Sequence, residues 1–231
     1  MIELRPYANL GGGQHGWLDT RHHFSFADYR DPERVHWGGL RVWNDDVIAP
    51  GTGFDPHPHQ DMEIITYVRE GAITHQDSLG NTGRTEAGDV QVMSAGTGIR
   101  HAEYNRESVP TRLFQIWIFP DQKGGAPSWD MRPFPKADRA GNFVTLASGI
   151  AGDADALPIR TSARVLGATL KAGQQAEYRL AGHHAYLVPA AGRVEVNGIA
   201  AATGDGVAIE DETVLRVTAI EDAELVLVDT A

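Results

Sequence analysis

Two short segments, each with two metal-binding side chains spaced two residues apart, constrain the fold of this chain more than any other feature. The first contains His57 and His59, and the second contains His101 and Glu103. Residues i and i+2 of a β-strand project from the same face. Two such strands that face each other inside a β-barrel would bring three imidazoles and one carboxylate to a single point. Three nitrogens and one oxygen suit a divalent first-row metal and leave coordination positions open for a substrate or dioxygen.

The composition fits a β-rich protein with one large core or two smaller ones. The chain has 231 residues, of which 42% are hydrophobic, and this is enough to bury such cores. Its 26 glycines and 12 prolines favour many turns between short strands. Because the chain has no cysteine, disulfides and cysteine-based zinc sites are excluded.

The charge balance argues against direct nucleic-acid binding. The formal net charge is −11 and the sequence pI is about 5.3, so the chain repels phosphate backbones. No apolar run approaches the ~20 residues of a membrane span, and residues 1–6 lack the charged and apolar regions of a signal peptide. We therefore expect a soluble cytoplasmic protein that does not bind membranes.

Short β-branched and apolar runs separated by turn residues predict strands along the whole chain. In the first half they lie at residues 40–44, 62–68, 72–77, 90–93 and 113–119. A segment rich in proline and glycine, residues 120–142, predicts a linker. Strands resume at 143–146, 164–170, 185–189, 193–196, 207–209, 214–217 and 224–228. The sequence thus predicts an N-terminal metal-binding domain over 1–135 and a C-terminal domain over 136–231.

The C-terminal domain is predicted to hold no metal. Its only histidines are His183 and His184, which are adjacent and therefore point to opposite faces of a strand. Its expected role is to pack against the first domain and shape it.

The spacing of the first half resembles the cupin superfamily and, within it, the pirin family. Gly51 is followed by five residues, His57-x-His59, three residues, Glu63, seven residues and Gly71. The second segment, Gly98-x-x-His101-x-x-x-Asn105, resembles the second cupin motif, although Gly96 stands where many cupins have proline. The likeness to pirins rests on His57-Pro58-His59, on the run Met93-Ser94-Ala95-Gly96-Thr97-Gly98-Ile99-Arg100-His101-Ala102-Glu103, and on Phe24-Ser25-Phe26.

This resemblance implies an all-β bicupin, in which two β-barrel domains of jelly-roll type pack together. It implies one metal ion, with Fe(II) expected, held in the N-terminal barrel by His57, His59, His101 and Glu103. Glu63 matches the usual cupin carboxylate ligand, whereas in pirin-like proteins Glu103 supplies the oxygen. Glu63 stays an alternative ligand, or a residue that supports one.

The same resemblance implies cleavage of a flavonol such as quercetin by dioxygen, with release of carbon monoxide. Glu103 is the candidate catalytic base that takes the substrate hydroxyl proton, and its alternative role is that of a fixed ligand. An alternative function is an iron-binding, redox-sensing regulator that binds a partner protein. A third option is metal-dependent isomerisation or oxidation of another small molecule, because one fold hosts many reactions.

Other residues are assigned by neighbourhood. The candidate pocket walls are Phe54, Met62, Met93 and Gln115, although core packing is favoured for the two methionines. Structural or surface roles are expected for His15, His22 and His23, and His36 is expected to be structural or to support a ligand. His75, on a predicted return strand, is expected to be structural or to orient a ligand.

Overall fold

The computed structural model describes residues 1–231, and the prediction of an all-β chain is confirmed. Strands account for nearly all regular structure, and the helical parts are two 3₁₀ turns at Tyr7–Asn9 and Lys136–Arg139. None of the helical segments has the length and apolar character needed to cross a membrane.

The strands of the first half are β1 (Ile2–Arg5), β2 (Gly11–Gln14), β3 (Leu18–His22), β4 (Leu40–Ile48), β5 (Gly53–His59), β6 (Glu63–Glu70), β7 (Ala72–Asp77), β8 (Thr82–Glu86), β9 (Val90–Ser94), β10 (Ile99–Tyr104), β11 (Thr111–Ile118) and β12 (Ser128–Arg132). Those of the second half are β13 (Val144–Ser148), β14 (Leu157–Pro158), β15 (Ala163–Leu170), β16 (Gln175–Arg179), β17 (His184–Ala191), β18 (Arg193–Val196), β19 (Ile199–Ala202), β20 (Gly206–Glu210), β21 (Val214–Ala219) and β22 (Ala223–Thr230).

The first half is a β-sandwich of two unequal antiparallel sheets. The larger sheet has the order β12-β9-β6-β11-β4-β3-β2, and the smaller has the order β5-β10-β7-β8. The predicted linker over 120–142 is wrong for Ser128–Arg132, because β12 pairs with β9 at the edge of the larger sheet. The half-buried side chains of this strand, such as Trp129, give it apolar surface to pack.

The second half repeats this plan with the sheet orders β1-β20-β17-β22-β15-β13-β14 and β16-β21-β18-β19. Strand β1 joins this half, since Ile2 pairs with Ile209 and Arg5 pairs with Gly206. The domain boundary at residue 135 stays a prediction.

The two larger sheets pack face to face, so the molecule has four β-layers. One continuous cluster of 22 buried residues joins them, with Trp43 and Phe114 from the first half against Tyr186 and Val226 from the second. The alternation of β11 explains this, because Phe114, Ile116 and Ile118 face the other half while the intervening residues face the interior of their own sandwich. Both faces of β11 are therefore largely buried, one against the other half and one inside its own sandwich.

Buried polar groups also join the halves. The Arg69 guanidinium donates to Asp45 Oδ1 at 2.6 Å and to the carbonyl of Ala190 at 2.7 Å. His23 Nδ1 lies 2.9 Å from the Tyr186 hydroxyl. These contacts fix the relative position of the two sandwiches.

The interiors of the two sandwiches differ in character. The second is filled by 17 buried aliphatic side chains, including Leu166, Leu187, Val217 and Leu225. Both groups of side chains that converge closely enough to hold a metal lie in the first half. His183 and His184 lie near the acidic residues Asp211 and Glu210 instead.

Candidate metal centre

Three of the predicted ligands converge inside the first sandwich. His57 and His59 lie on β5 and His101 lies on β10, with His101 in register with His57. The ring centroids are 4.5 Å apart for His57 and His101, 4.8 Å for His57 and His59, and 4.9 Å for His59 and His101. One nitrogen from each ring lies within 4.8 Å of the others. This is the i, i+2 convergence that the spacing predicts.

The local sequence explains why these strands form here. Strand β5 carries Pro56 and Pro58 and lies at the edge of its sheet, the position where missing N–H groups are tolerated. Before β10, Gly96 has φ of +49°, which proline cannot adopt. This conformation explains why glycine stands where many cupins have proline.

The imidazoles are set up to act as neutral ligands. Burial, and then the neighbouring imidazoles, lower the pKa of His59 and of His101 to about 3. His57 Nδ1 lies 2.7 Å from the carbonyl oxygen of Asp55, so this nitrogen carries the proton and Nε2 keeps its lone pair. His101 Nε2 is buried and has no hydrogen-bond partner. A divalent cation would satisfy this atom, so the donor set fits a metal.

Glu103 is placed beside these rings rather than among them. Its oxygens lie within 4.8 Å of nitrogens of His75 and His101, but not in the same group as His57 and His59. The structure therefore brings three of the four predicted ligands together and places a carboxylate oxygen of the fourth within 4.8 Å of a His101 ring nitrogen.

The Glu103 carboxylate is held by neutral donors. It accepts hydrogen bonds from Gln91 Nε2 at 2.6 Å, from Gln115 Nε2 at 2.8 Å and from the Thr66 hydroxyl at 3.3 Å. It is 2% exposed. Amide and hydroxyl donors stabilise a carboxylate without neutralising its charge, so it keeps the character of a ligand or a proton acceptor.

His75 lies behind His101. The two Nδ1 atoms are 3.4 Å apart, and His75 Nε2 is 2.9 Å from Asp77 Oδ2. The His75 ring is stacked on Trp129 with an interplanar angle of 7°. This arrangement suits the predicted orienting role, because a histidine held by a carboxylate has a fixed tautomer and ring plane.

Glu63, the alternative ligand, faces away from the three imidazoles. Its Oε2 atom accepts hydrogen bonds from the Ser94 hydroxyl at 2.6 Å and from the backbone N–H of Arg160 at 3.0 Å. Arg160 belongs to the second half, so Glu63 joins the two halves. Because side chains alternate along β6, Ile64 faces the imidazoles instead.

A cavity of about 310 Å³ contains the imidazoles, and we call it the imidazole cavity. Its apolar and aromatic wall contains Leu18, Phe26, Phe54, Ile64 and Trp117. Phe54 and Gln115, two predicted wall residues, line it. Of the other two, Met93 is buried in a small core cluster. Met62 lines an adjoining outer groove of about 740 Å³, which shares Phe26 and Trp117 with the cavity.

The cavity also has polar residues that the sequence interpretation missed. They are Thr20, His22, Asn44 and Asp46. Thr20 and His22 lie two residues apart on β3, and Asn44 and Asp46 lie two residues apart on β4, so each pair shares one face of its strand. This spacing becomes a signal only once both strands are known to extend through these residues. His15 and His22 were expected to be structural or on the surface, and both line the cavity instead.

Two of these groups have strongly altered acidity. Burial raises the pKa of Asp46 to about 7, and the Thr20 hydroxyl donates to Asp46 Oδ1 at 2.5 Å. Burial lowers the pKa of His22 to about 4, so this imidazole is neutral at pH 7. The wall therefore offers polar but mostly uncharged groups.

Comparison with known proteins agrees with these features. A family model described as Pirin matches residues 4–118, and one described as quercetinase C-terminal cupin domain matches residues 145–230. A protein of Caulobacter vibrioides named pirin-like protein is 68% identical over 232 residues, which cover 100% of both chains. The quercetin 2,3-dioxygenase of Escherichia coli K12 is 43% identical over 230 residues, covering 99% of this chain and 98% of the relative. The crystal structure of a bacterial pirin from Escherichia coli in complex with nickel(II) has a TM-score of 0.93 and 42% identity, covering 100% of this chain and 99% of that one.

Proposed function

Because the chain belongs to the pirin family of cupin proteins, we propose that it is a metal-dependent dioxygenase that cleaves a flavonol such as quercetin. The reaction is 2,3-dioxygenation of the flavonol with release of carbon monoxide. The Escherichia coli relative, which matches 99% of this chain, is named quercetin 2,3-dioxygenase, and this supports the substrate class. The aromatic wall of the imidazole cavity supports it as well, because flat aromatic rings pack well on such surfaces.

We propose that His57, His59, His101 and Glu103 hold one divalent cation, with Fe(II) as the resident ion. The observation that carries this proposal is the buried, unpartnered Nε2 atom of His101 among converging imidazoles. The nickel(II) complex of the related bacterial pirin supports a divalent ion of this type. When bound, the metal supplies positive charge that lowers the pKa of a coordinated hydroxyl group and holds the deprotonated flavonol beside dioxygen.

The protein's own residues supply positioning and a proton acceptor. Phe54 and Trp117 exclude water and hold the aromatic rings of the substrate. Glu103 takes the proton of the 3-hydroxyl, and the amides of Gln91 and Gln115 keep its carboxylate in place. Its alternative role is that of a fixed metal ligand without proton transfer.

An anaerobic metal analysis followed by a flavonol turnover assay tests the proposal. We expect stoichiometric iron in the protein as purified without oxygen. On addition of air, we expect metal-dependent loss of the flavonol absorbance band together with carbon monoxide. Metal-replete protein that leaves the flavonol intact would exclude the dioxygenase.

A redox-sensing regulator is the second candidate. The outer groove supports it, because this groove shares Phe26 and Trp117 with the imidazole cavity, so a partner protein bound there would touch the wall of the metal site. This function predicts a complex with a partner protein that depends on the oxidation state of iron and occurs without flavonol turnover.

A further inference from the structure

A row of polar side chains crosses the inner face of the larger sheet in the first half. His22 on β3 is in register with Asn44 on β4, and Asn44 is in register with Gln115 on β11. Gln115 is in turn in register with Thr66 on β6, and Thr66 with Gln91 on β9. Five neighbouring strands thus each place one polar residue in a single line beneath the imidazole cavity.

Three residues of this row, on β9, β6 and β11, form a hydrogen-bonded network. Gln91, Thr66 and Gln115 are hydrogen-bonded to one another and to Glu103, at distances of 2.6 to 3.3 Å. This part of the row holds the Glu103 carboxylate in position.

The other part of the row has unpaired polar atoms. Asn44 Oδ1 and His22 Nδ1 are buried and have no hydrogen-bond partner. The two residues are 4% and 5% exposed, and both line the cavity. Asp46 follows Asn44 on the same face of β4 and is 3% exposed, with the Thr20 hydroxyl on its Oδ1 atom. Strands lie roughly 5 Å apart, so Asn44 is one strand spacing from the Glu103-binding Gln115 and His22 is two.

Buried polar atoms without partners weaken a fold, so their presence on a cavity wall indicates a ligand that pairs with them. An amide oxygen, a carboxylate and a neutral imidazole are all able to accept a hydrogen bond from a hydroxyl group. The rest of the cavity wall, with Phe26, Phe54 and Trp117, is aromatic. Hydroxyl groups on a flat aromatic framework match both surfaces.

We infer that His22, Asn44 and Asp46 form a hydroxyl-binding wall that recognises a polyhydroxylated aromatic ligand and sets its orientation relative to His57, His59 and His101. The ligand class rests on the proposed function. Under that function, the 3-hydroxyl is at the metal site and the hydroxyls remote from it bind the wall. The wall residues are positioning and specificity-determining groups.

Binding without turnover tests this inference. Metal-replete protein is titrated anaerobically with two flavonols, one with a catechol ring and one that has the 3-hydroxyl but no hydroxyl on that ring. Quenching of tryptophan fluorescence, to which Trp117 in the cavity contributes, reports the dissociation constant. For Asn44→Leu we expect binding of the catechol flavonol to weaken about tenfold, the loss of one buried hydrogen bond, while binding of the other flavonol changes by less than about twofold.

Asn9→Leu is the matched control, because it makes the same amide-to-aliphatic change at an exposed residue outside the cavity. We expect wild-type affinity for both ligands. His22→Phe is a second variant in case Asn44→Leu does not fold: it keeps an aromatic ring but removes the unpaired Nδ1 acceptor, and we expect it to show the same selective loss. Equal losses for both flavonols, or no loss for either, would overturn the inference.

The results of this experiment test the hydroxyl-binding wall separately from the proposed dioxygenase activity. Hydroxyl-dependent binding in a protein that never consumes a flavonol would support the wall and exclude the proposed reaction. Turnover without discrimination between the two flavonols would exclude the wall alone. Wild-type protein that binds neither flavonol would overturn both.

Discussion

At the scale of single residues, the side chains of Glu103 and Glu63 lie in different surroundings, although both are candidate metal ligands. Glu103, on β10 of the smaller sheet, is held by amide and hydroxyl donors. Glu63, on β6 of the larger sheet, faces away from the imidazoles and accepts hydrogen bonds from Ser94 and the backbone of Arg160. Spacing alone left both as candidate ligands. Only the alternation of side chains along a defined strand separates them.

This difference predicts that Glu103→Gln and Glu63→Gln behave differently. Glu103→Gln keeps the three imidazoles, so we expect partial metal binding and a loss of turnover of about 100-fold or more, as is typical for removal of a general base. Glu63→Gln is the matched control and should retain wild-type metal content. Metal analysis and flavonol consumption measure both, and full activity of Glu103→Gln would exclude its role as a base.

Asp46 predicts an unusual pH dependence of stability. Burial raises the pKa of Asp46 in the folded protein to about 7. Between the pKa of Asp46 in the unfolded chain and pH 7, the folded state therefore binds more protons than the unfolded state. The free energy of unfolding consequently falls as pH rises through this range. We expect Asp46→Asn to be more stable than wild type at pH 8, by up to about 4 kcal/mol, and to lose this advantage below pH 4.

Urea unfolding of metal-free protein at several pH values measures this effect. Thr20→Val removes the hydrogen bond to Asp46 while keeping the carboxylate, and it should retain the downward trend of stability with pH. A constant difference between Asp46→Asn and wild type at all pH values would show that Asp46 does not titrate in this range.

The sequence predicted the reactive residues better than the residues that surround them. A metal-binding residue type at a spacing of two residues is visible in the sequence itself, so His57, His59 and His101 were predicted without coordinates. Asn44 and Asp46 look like ordinary turn residues in the sequence, and their role depends on β4 continuing through them to Ile48. Tertiary pairing with β3 and β11 overrides the local turn preference.

At the scale of elements, the turn before β10 controls the position of His101. Gly96 has φ of +49°, and a Cβ atom added to it would collide with the carbonyl oxygen of Gly125. The chain segment around Gly125 leads into β12, so this contact joins two connections that flank the metal site.

We therefore predict that Gly96→Ala destabilises the protein by about 2 kcal/mol or more and weakens metal binding. Gly173→Ala is the control: its φ of +82° is also unfavourable for alanine, but nothing lies within 4 Å of the added Cβ, so the expected cost is about 1 kcal/mol with unchanged metal affinity. Thermal unfolding and metal titration measure both, and equal behaviour would show that the Gly125 contact does not matter.

Strands with long runs of apolar and β-branched residues were predicted well, and irregular strands were not. The predicted runs 62–68 and 113–119 lie almost entirely within β6 and β11. Strands β2, β8 and β12 were missed, since glycine, charged residues and proline dominate their neighbourhoods. Such strands form because they pair at the edges of sheets, which a local pattern does not reveal.

At the scale of the whole molecule, the two sandwiches share one core. The sequence predicted two β-domains with a single metal-binding half, but it did not predict that 22 buried residues would join the larger sheets. The reason is that a strand apolar on both faces indicates burial without identifying its partner.

His23, at this junction, predicts that acid weakens the molecule. It is fully buried beside Tyr186, and burial lowers its pKa to about 3. The contribution of His23 to the free energy of unfolding is complete above the pKa of histidine in the unfolded chain, about 6.5. It is lost as pH falls towards 3, because the unfolded chain takes up the proton more readily than the folded protein does. We expect His23→Gln to flatten the decline in unfolding free energy between pH 6 and pH 4 by up to about 1.4 kcal/mol per pH unit.

Denaturant unfolding of metal-free protein at pH 4, 5, 6 and 7 measures this slope. His36→Gln, at an exposed position, is the control and should keep the wild-type slope. An unchanged slope in His23→Gln would assign acid sensitivity to other groups.

The placement of β1 in the second sandwich has a consequence for how the polypeptide acquires its shape. Ile2 pairs with Ile209, so β1 can form its sheet contacts only with a segment that lies about two hundred residues further along the chain. Closing so distant a pair is slow compared with local hairpin formation. We therefore expect a fusion tag attached ahead of Ile2 to disturb the second half first, far along the chain from the point of attachment.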